Sequence, residues 1–149
     1  MDQEINGRNR ASLDRLRAMA ARLSEDELLR PIDPPWTAAA LFAHVAFWDR
    51  FTHARWLHAA GIGGGLPLSI DDAAMELINQ AALREWAAIP PRTAVEECLA
   101  AAATINDFID SLEPDAVSQV LLAGRERLVA RSIHRGEHLD TIEAAFTDR

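Results

Sequence analysis

The sequence predicts an all-α fold, an antiparallel, up-and-down bundle of four long helices with additional short helices. Alanine is abundant and β-branched residues are few, which favours helix over strand. Apolar residues recur at steps of three and four along several stretches, with no alternating strand pattern. Prolines separate these stretches and should end the helices there. With 149 residues, 49% of them hydrophobic, the chain is expected to form one domain over residues 1–149.

The first third of the sequence predicts a long helix, a short helix and an extended connector. Apolar side chains at helical spacing favour a helix over residues 7–23. Ser24 followed by Glu27 has the form of a capping box and predicts a short helix over residues 26–29. The prolines at 31, 34 and 35 then favour an extended connector, because proline cannot continue a helix.

A second long helix is expected to follow this connector. Thr37 is the predicted N-cap, and the helix is expected to run to about residue 60 and end at Gly61. The glycine-rich segment 61–67 resembles a phosphate-binding loop superficially. It has no Gly-Lys-Ser/Thr ending and follows a helix rather than a strand, so it is interpreted as a flexible loop.

The second half of the sequence predicts three further helices. The first spans residues 69–88, with Ser69 or Asp71 as its N-cap. The others are expected over about 94–112 and 125–146. The signals that separate them are Pro90-Pro91, a Thr93–Glu96 capping box and a turn at Glu113-Pro114-Asp115.

The charge and composition exclude several classes of function. The formal net charge is −8, and an acidic surface repels a phosphate backbone, so nucleic acid is not an expected partner. No stretch reaches the length of a membrane-spanning helix, and the polar start does not resemble a secretory signal. The expected location is the cytoplasm. The single cysteine, Cys98, excludes an internal disulfide and is interpreted as a small buried apolar side chain.

Three histidines form the candidate site. His134 and His138 are four residues apart, which places them on one face of the last helix. His44 lies between Leu41 and Trp48 on the inner face of the second long helix. Burying three imidazoles without partners is costly, and one metal ion would satisfy all three. The alternative is that each histidine is an ordinary hydrogen-bonded packing residue.

Two runs resemble the motifs of the DinB/YfiT-like family of metalloenzymes. The run WTAAALFAHVAFWD at residues 36–49 is similar to that family's second-helix signature, a tryptophan followed about two turns later by a ligand histidine and then by an aromatic-acidic pair. The run IHRGEH at residues 133–138 is similar to the family's final motif, His-x3-His. The resemblance extends over nearly the whole chain in helix order and length.

This resemblance implies an antiparallel four-helix bundle, often dimeric, that holds one divalent metal ion. The ion would be nickel, zinc, manganese or iron, bound by His44, His134 and His138. Relatives in the family include mycothiol-dependent maleylpyruvate isomerase and bacterial thiol S-transferases. The implied partner is therefore a small-molecule substrate, with a low-molecular-weight thiol as one candidate.

The sequence leaves more than one function open. Three neutral histidines leave metal positions free for water or substrate, so both hydrolysis and thiol transfer are consistent with the site. The alternative is a non-catalytic helical bundle that binds a metal or a small ligand. A di-iron carboxylate bundle needs paired Glu-x-x-His motifs, and the sequence contains none.

Several charged residues near the histidines are weaker candidates. Arg127 and Arg131 are expected one and two turns before His134 on its helix, where they could hold an anionic substrate. Asp49 and Glu137 could orient an imidazole or act as a base. No catalytic residue is identified beyond the candidates Arg131, Glu137 and Asp49, and each has an alternative as an ordinary helix charge.

Two expectations concern tryptophans and phenylalanines. Trp48, one turn from His44, is expected to line the pocket. A homodimer is expected from the family resemblance. The high apolar content of the helix that carries His44 supports it, because its aromatic residues extend beyond one face, through Phe42, Phe47 and Trp56.

Overall fold

The structure is a computed structural model that describes residues 3–147, and it is mostly helical, as the sequence predicts. In those residues the chain forms seven α-helices and one two-stranded sheet. In chain order the elements are α1 (Gln3–Arg22), α2 (Glu25–Leu29), β1 (Pro31–Asp33), β2 (Trp36–Thr37), α3 (Ala38–Gly61), α4 (Asp72–Ala88), α5 (Pro91–Asp110), α6 (Pro114–Leu122), a 3-10 turn at Glu126–Leu128, and α7 (Ser132–Thr147). None of the helices in this part of the chain is long and apolar enough to cross a membrane.

The helix starts that depend on a side-chain cap lie where the sequence predicts them. Ser24 and Glu27 form a complete capping box at α2. The Thr37 hydroxyl accepts a hydrogen bond from the backbone N–H of Ala40 at 3.1 Å, and so caps α3. Of the two candidates for α4, Asp71 is the cap, since its carboxylate accepts from Ala74 N–H.

The predicted Thr93–Glu96 capping box and the predicted turn near Pro114 are wrong. Helix α5 begins at Pro91 without a side-chain cap, and α6 begins at Pro114. In both cases proline occupies the first helical position, where its missing N–H has no partner to lose and its fixed φ suits the helix.

The expected helix over residues 125–146 is also wrong at its start, because α7 begins at Ser132. Asn9, on α1, fixes this boundary. Its amide nitrogen donates to the Val129 carbonyl at 2.8 Å, and its amide oxygen accepts from the backbone N–H of Ser132 at 3.1 Å. A side chain from another helix thus stops the chain from continuing as one helix.

The proline-rich connector contains a small sheet, which the sequence did not predict. Strands β1 and β2 pair antiparallel, with Pro31 opposite Thr37 and Asp33 opposite Trp36. This short hairpin leads directly into α3 and places Trp36 beside the first turns of that helix.

Helices α1, α3, α5 and α7 pack around the core, and α4 lies between α3 and α5 in the chain. Arg50 of α3 pairs with Glu97 of α5 at 3.4 Å, and Trp56 lies against Phe108 further along both helices. Helices α3 and α5, which α4 separates in the chain, therefore run in the same direction. Helix α4 packs antiparallel against α3 and returns the chain to the end where α3 began.

Contacts between helices also show the directions of α1 and α7. Arg15 of α1 pairs with Asp140 and Glu143 of α7, while Asn9 lies at the start of α7, so these helices run in the same direction. Arg10 pairs with Asp110 and the Arg92 guanidinium donates to the Ala20 carbonyl, so α1 and α5 are antiparallel.

Apolar side chains from α1, α3, α5 and α7 fill the interior. Phe42 and Trp56, which were expected to extend onto a dimer face, are only 1% and 6% exposed and belong to this core. That support for a dimer is therefore wrong for these two residues, whereas Phe47 is partly buried and packs against Trp86. Cys98 is fully buried, as expected, and burial raises the pKa of its thiol, so it is an apolar packing residue.

Candidate metal centre

His44, His134 and His138 converge at the face between α3 and α7. The Nε2 atom of His44 lies 3.0 Å from Nε2 of His134 and 3.1 Å from Nε2 of His138. The third side of the triangle, between His134 and His138, is 3.1 Å. The antiparallel packing of α3 against α7 brings His44 opposite two histidines that the helix already places one turn apart.

The triangle has the dimensions that a bound metal ion requires. Ligands about 2.1 Å from a shared ion lie about 3.0–3.4 Å apart for angles between octahedral and tetrahedral. Three ring nitrogens at 3.0–3.1 Å fit that range, and the potential ligand atoms all lie within 4.8 Å of one another. The three residues could therefore hold one ion.

Burial keeps these imidazoles neutral. Burial lowers the pKa of His44 to about 3, and the neighbouring His138 and Arg131 add to the shift. The pKa values of His134 and His138 are also lowered, in each case mainly by burial. Neutral imidazole is the form that binds a metal, so protons do not compete for the ring nitrogens near neutral pH.

Two ring nitrogens on the far side of the triangle have no partner. Nδ1 of His44 and Nδ1 of His134 are buried without a hydrogen-bond partner among the described residues. Neither Asp49 nor Glu137 therefore orients these two rings through a hydrogen bond to Nδ1. Packing rather than a hydrogen bond orients His44, which makes edge contacts with Trp36 and Trp86 at centroid distances of 5.4 and 5.1 Å.

The histidines line a cavity of about 810 Å³, the size of a site for a small molecule. Its walls come from α3, α4, α7 and the segment before α7. Trp48 lines it, as predicted, and its indole N–H donates to Asn79 of α4 at 2.8 Å. The cavity carries both apolar and charged side chains, and four arginines line it: Arg55, Arg125, Arg127 and Arg131.

Asp49 does not reach the cavity. It is fully buried and forms ion pairs with Arg131 at 2.8 Å and with Arg135 at 3.0 Å. The Arg135 guanidinium is also fully buried, and donates to the Asn106 and Ser12 side chains at 3.0 Å each. The suggested role of Asp49 as a base is therefore not supported, since both of its oxygens face guanidinium groups inside the protein.

The other two charged candidates lie at the cavity but are already paired. Glu137 forms an ion pair with Arg127, and both side chains are about half exposed. Arg131 is nearly buried, and besides Asp49 it donates to the Arg127 carbonyl at 2.8 Å. Neither arginine lies on the helix of His134, contrary to expectation, because α7 begins at Ser132.

Sequence reasoning missed the role of Arg135. It shares one face of α7 with Leu139, Ile142 and Phe146, all of which are buried. A charged residue on an otherwise apolar helix face was the available signal, because such a charge requires buried partners.

It also missed Arg55 and Arg125 in the cavity wall. Arg55 follows His44 by eleven residues on α3, a spacing that returns it to the same helix face. For Arg125, which lies outside the helices, the sequence holds no comparable signal.

A family model described as the DinB superfamily matches residues 8–142 of the chain. The match contains all three histidines and every helix except the first turns of α1 and the end of α7. No curated protein and no solved structure matches the chain significantly.

Proposed function

This chain belongs to the DinB superfamily, and from that premise we propose that it is a divalent-metal-dependent enzyme acting on a small molecule. The observation that carries the proposal is the triangle of Nε2 atoms at 3.0–3.1 Å, which lines a cavity of about 810 Å³. The reaction is thiol transfer or hydrolysis. The ion is nickel, zinc, manganese or iron, all of which accept imidazole ligands.

His44, His134 and His138 would hold the ion, each through its Nε2 atom. When bound, a divalent ion supplies Lewis acidity and lowers the pKa of a coordinated water or thiol. Three protein ligands leave positions for water or substrate on the cavity side. Trp36 and Trp86 hold the ring of His44 in place, and the lowered pKa values keep the three rings free of protons.

Glu137 is the proposed proton acceptor. Of the two carboxylates considered, it is the one that lines the cavity, whereas Asp49 is enclosed by Arg131 and Arg135. The ion pair with Arg127 orients the Glu137 side chain at the cavity edge. A proton leaving a thiol or water in the cavity would pass to the Glu137 carboxylate.

We also propose that α1, α3, α5 and α7 form a four-helix bundle in which α1 and α7 run one way and α3 and α5 the other. The packing pairs α1–α5, α5–α3, α3–α7 and α7–α1 support this arrangement. Helices α3 and α7 are neighbours in it, and the site lies where they meet. Two such bundles are proposed to form a homodimer.

A second candidate function is non-catalytic binding of a small ligand through the same metal. The pairing of both nearby carboxylates favours it, because proton transfer needs an available base. Asp49 is bound to Arg131 and Arg135, and Glu137 is bound to Arg127. Turnover separates the two functions, whereas metal binding alone does not.

The test of the enzymatic proposal is turnover by the metal-loaded protein. A panel of low-molecular-weight thiols with an electrophilic acceptor tests thiol transfer, and a panel of small esters and amides tests hydrolysis. Wild-type protein should show metal-dependent turnover. His138→Ala should abolish it, because only two of the three histidine ligands remain to hold the ion. His58→Ala, which alters an exposed histidine on α3, is the matched control and should retain turnover. Metal-loaded wild-type protein without activity on either panel would favour the binding function instead.

A further inference from the structure

Two arginines of the cavity wall meet at one backbone carbonyl. The Arg55 guanidinium donates through Nε to the Leu68 carbonyl at 2.8 Å, and the Arg125 guanidinium donates to the same oxygen at 3.1 Å. Both side chains are half-buried and line the cavity that contains the histidines. A single carbonyl oxygen uses only a few of the ten N–H donors that two guanidinium groups offer.

No carboxylate among residues 3–147 neutralises the positive charge of this pair. Among residues 3–147, neither Arg55 nor Arg125 forms an ion pair, whereas Arg127 and Arg131 are paired with Glu137 and Asp49. Burial lowers the pKa of Arg55 to about 10, and repulsion from Arg125 and Arg131 adds to the shift. Two adjacent guanidinium groups in a partly buried wall repel each other, and an anion between them would relieve that repulsion.

The carboxylates of the cavity do not supply that anion. Asp33, Asp72, Glu76 and Glu126 also line the cavity, but none of them is within ion-pair distance of Arg55 or Arg125 in the described structure. The missing anion is therefore expected to come from a bound molecule, and paired guanidinium groups bind a planar carboxylate in two-point fashion.

The arginine pair lies on the same wall of the cavity as His44. Arg55 follows His44 by eleven residues on α3, which places the two residues on one helix face about 16 Å apart along the axis. Side chains on a helix tilt toward its N-terminus, so the Arg55 side chain extends back toward the histidines and leaves a gap on the order of 10 Å. A molecule that touches both sites must be elongated.

We propose that Arg55 and Arg125 form a carboxylate-binding subsite for an elongated small-molecule substrate whose other end lies at His44, His134 and His138. This inference rests on the proposed function for the location of the reacting end. The carboxylate-binding role itself depends only on the arginine pair.

Isothermal titration with two matched thiols tests the subsite. Mercaptohexanoic acid carries a thiol and a carboxylate at opposite ends, and mercaptohexanol replaces the carboxylate with a neutral hydroxyl. Zinc-loaded wild-type protein should bind mercaptohexanoate at least roughly tenfold more tightly than mercaptohexanol, as expected for charge-assisted hydrogen bonds. Arg55→Gln and Arg125→Gln should each lose that preference while keeping their zinc and their affinity for mercaptohexanol.

Arg8→Gln is the matched control, because it removes one positive charge from an exposed pair on α1, outside the cavity. It should keep the full preference for mercaptohexanoate, and circular dichroism should show all variants folded. A preference that is absent in wild-type protein, or unchanged in both Arg55→Gln and Arg125→Gln, would overturn the subsite.

A second titration, on metal-free protein, separates this proposal from the proposed function. Hexanoate should bind more tightly than hexanol, and Arg55→Gln should abolish the difference. If zinc does not bind to the histidines but hexanoate behaves as described, the metal-dependent function fails and the carboxylate subsite stands. If zinc binds but hexanoate binds no better than hexanol, the subsite fails and the metal-dependent function stands.

Discussion

Asp49 and Glu137 have similar settings in the sequence, since each lies within about one turn of a histidine in the site. The structure gives them different roles. Asp49 is fully buried between Arg131 and Arg135, whereas Glu137 is half exposed and pairs with Arg127. Their partners decide the difference, and the two partners of Asp49 lie 82 and 86 residues away from it in the sequence.

Asp49→Asn should therefore act on stability rather than on metal binding. It leaves two buried guanidinium groups without a counter-charge, and we expect the free energy of unfolding to fall by about 3–5 kcal/mol. Glu137→Gln is the control, and breaking its exposed ion pair should lower the free energy of unfolding by at most about 1 kcal/mol. Urea denaturation measures both. Equal losses in the two variants would show that Asp49 is not the counter-charge of a buried cluster.

The three histidines could be predicted from the sequence because their signals are local. A spacing of four residues places His134 and His138 on one helix face, and the apolar pattern around His44 places it inward. Arg55 and Arg125 could not be predicted as a pair. They approach each other only through the Leu68 carbonyl, and the loop that carries Leu68 has no periodic pattern that would place it.

At the scale of secondary structure, local caps were predictable and distant ones were not. Ser24 and Thr37 bond to backbone groups three residues away, so their role is visible in the sequence. The start of α7 depends on Asn9, which lies more than a hundred residues earlier. A helix boundary set by a side chain of another helix has no local signal, and the predicted helix was therefore too long at its N-terminal end.

Substitution of Gly136 tests whether the surroundings of this residue in α7 are open. It lies inside the helix, and a Cβ atom built there meets no heavy atom within 4 Å, so it is not required for close packing. Gly136→Ala should raise the free energy of unfolding by about 0.5–1 kcal/mol, because alanine is the better helix former.

Gly124→Ala is the matched control for that substitution. Its surroundings are equally open, but its φ of +68° is a conformation that side chains disfavour. This variant should lose about 1 kcal/mol. If thermal denaturation shows that Gly136→Ala is destabilising as well, the space around Gly136 is smaller than the 4 Å clearance indicates.

At the scale of the whole molecule, α4 decides the order of the helices. It returns the chain along α3, so that α5 starts at the same end as α3 and runs parallel to it. Helix periodicity alone does not distinguish a returning helix from a member of the central bundle. For that reason the all-helical class could be predicted from the sequence, whereas the choice of the helices that pack around the core could not.

The proposed homodimer needs a different surface from the one that the sequence suggested. The large apolar side chains Ile62, Leu68 and Leu122 are 70%, 60% and 89% exposed, and they lie in or beside the segments that flank the cavity. We expect the protein to sediment as a dimer at tens of micromolar. Leu122→Glu should shift it to monomer, whereas Leu29→Glu, at an exposed leucine on α2, should not. A monomeric wild-type protein would contradict the dimer.

The proposed function requires that His44, His134 and His138 bind a single divalent ion. Anomalous X-ray diffraction from crystals of the zinc-loaded protein, measured at the zinc absorption edge, tests it most directly. We predict one strong peak per chain at a point about 2.0–2.1 Å from Nε2 of each of the three histidines. A peak at other residues, or no peak with the three rings still in contact, would contradict the claim.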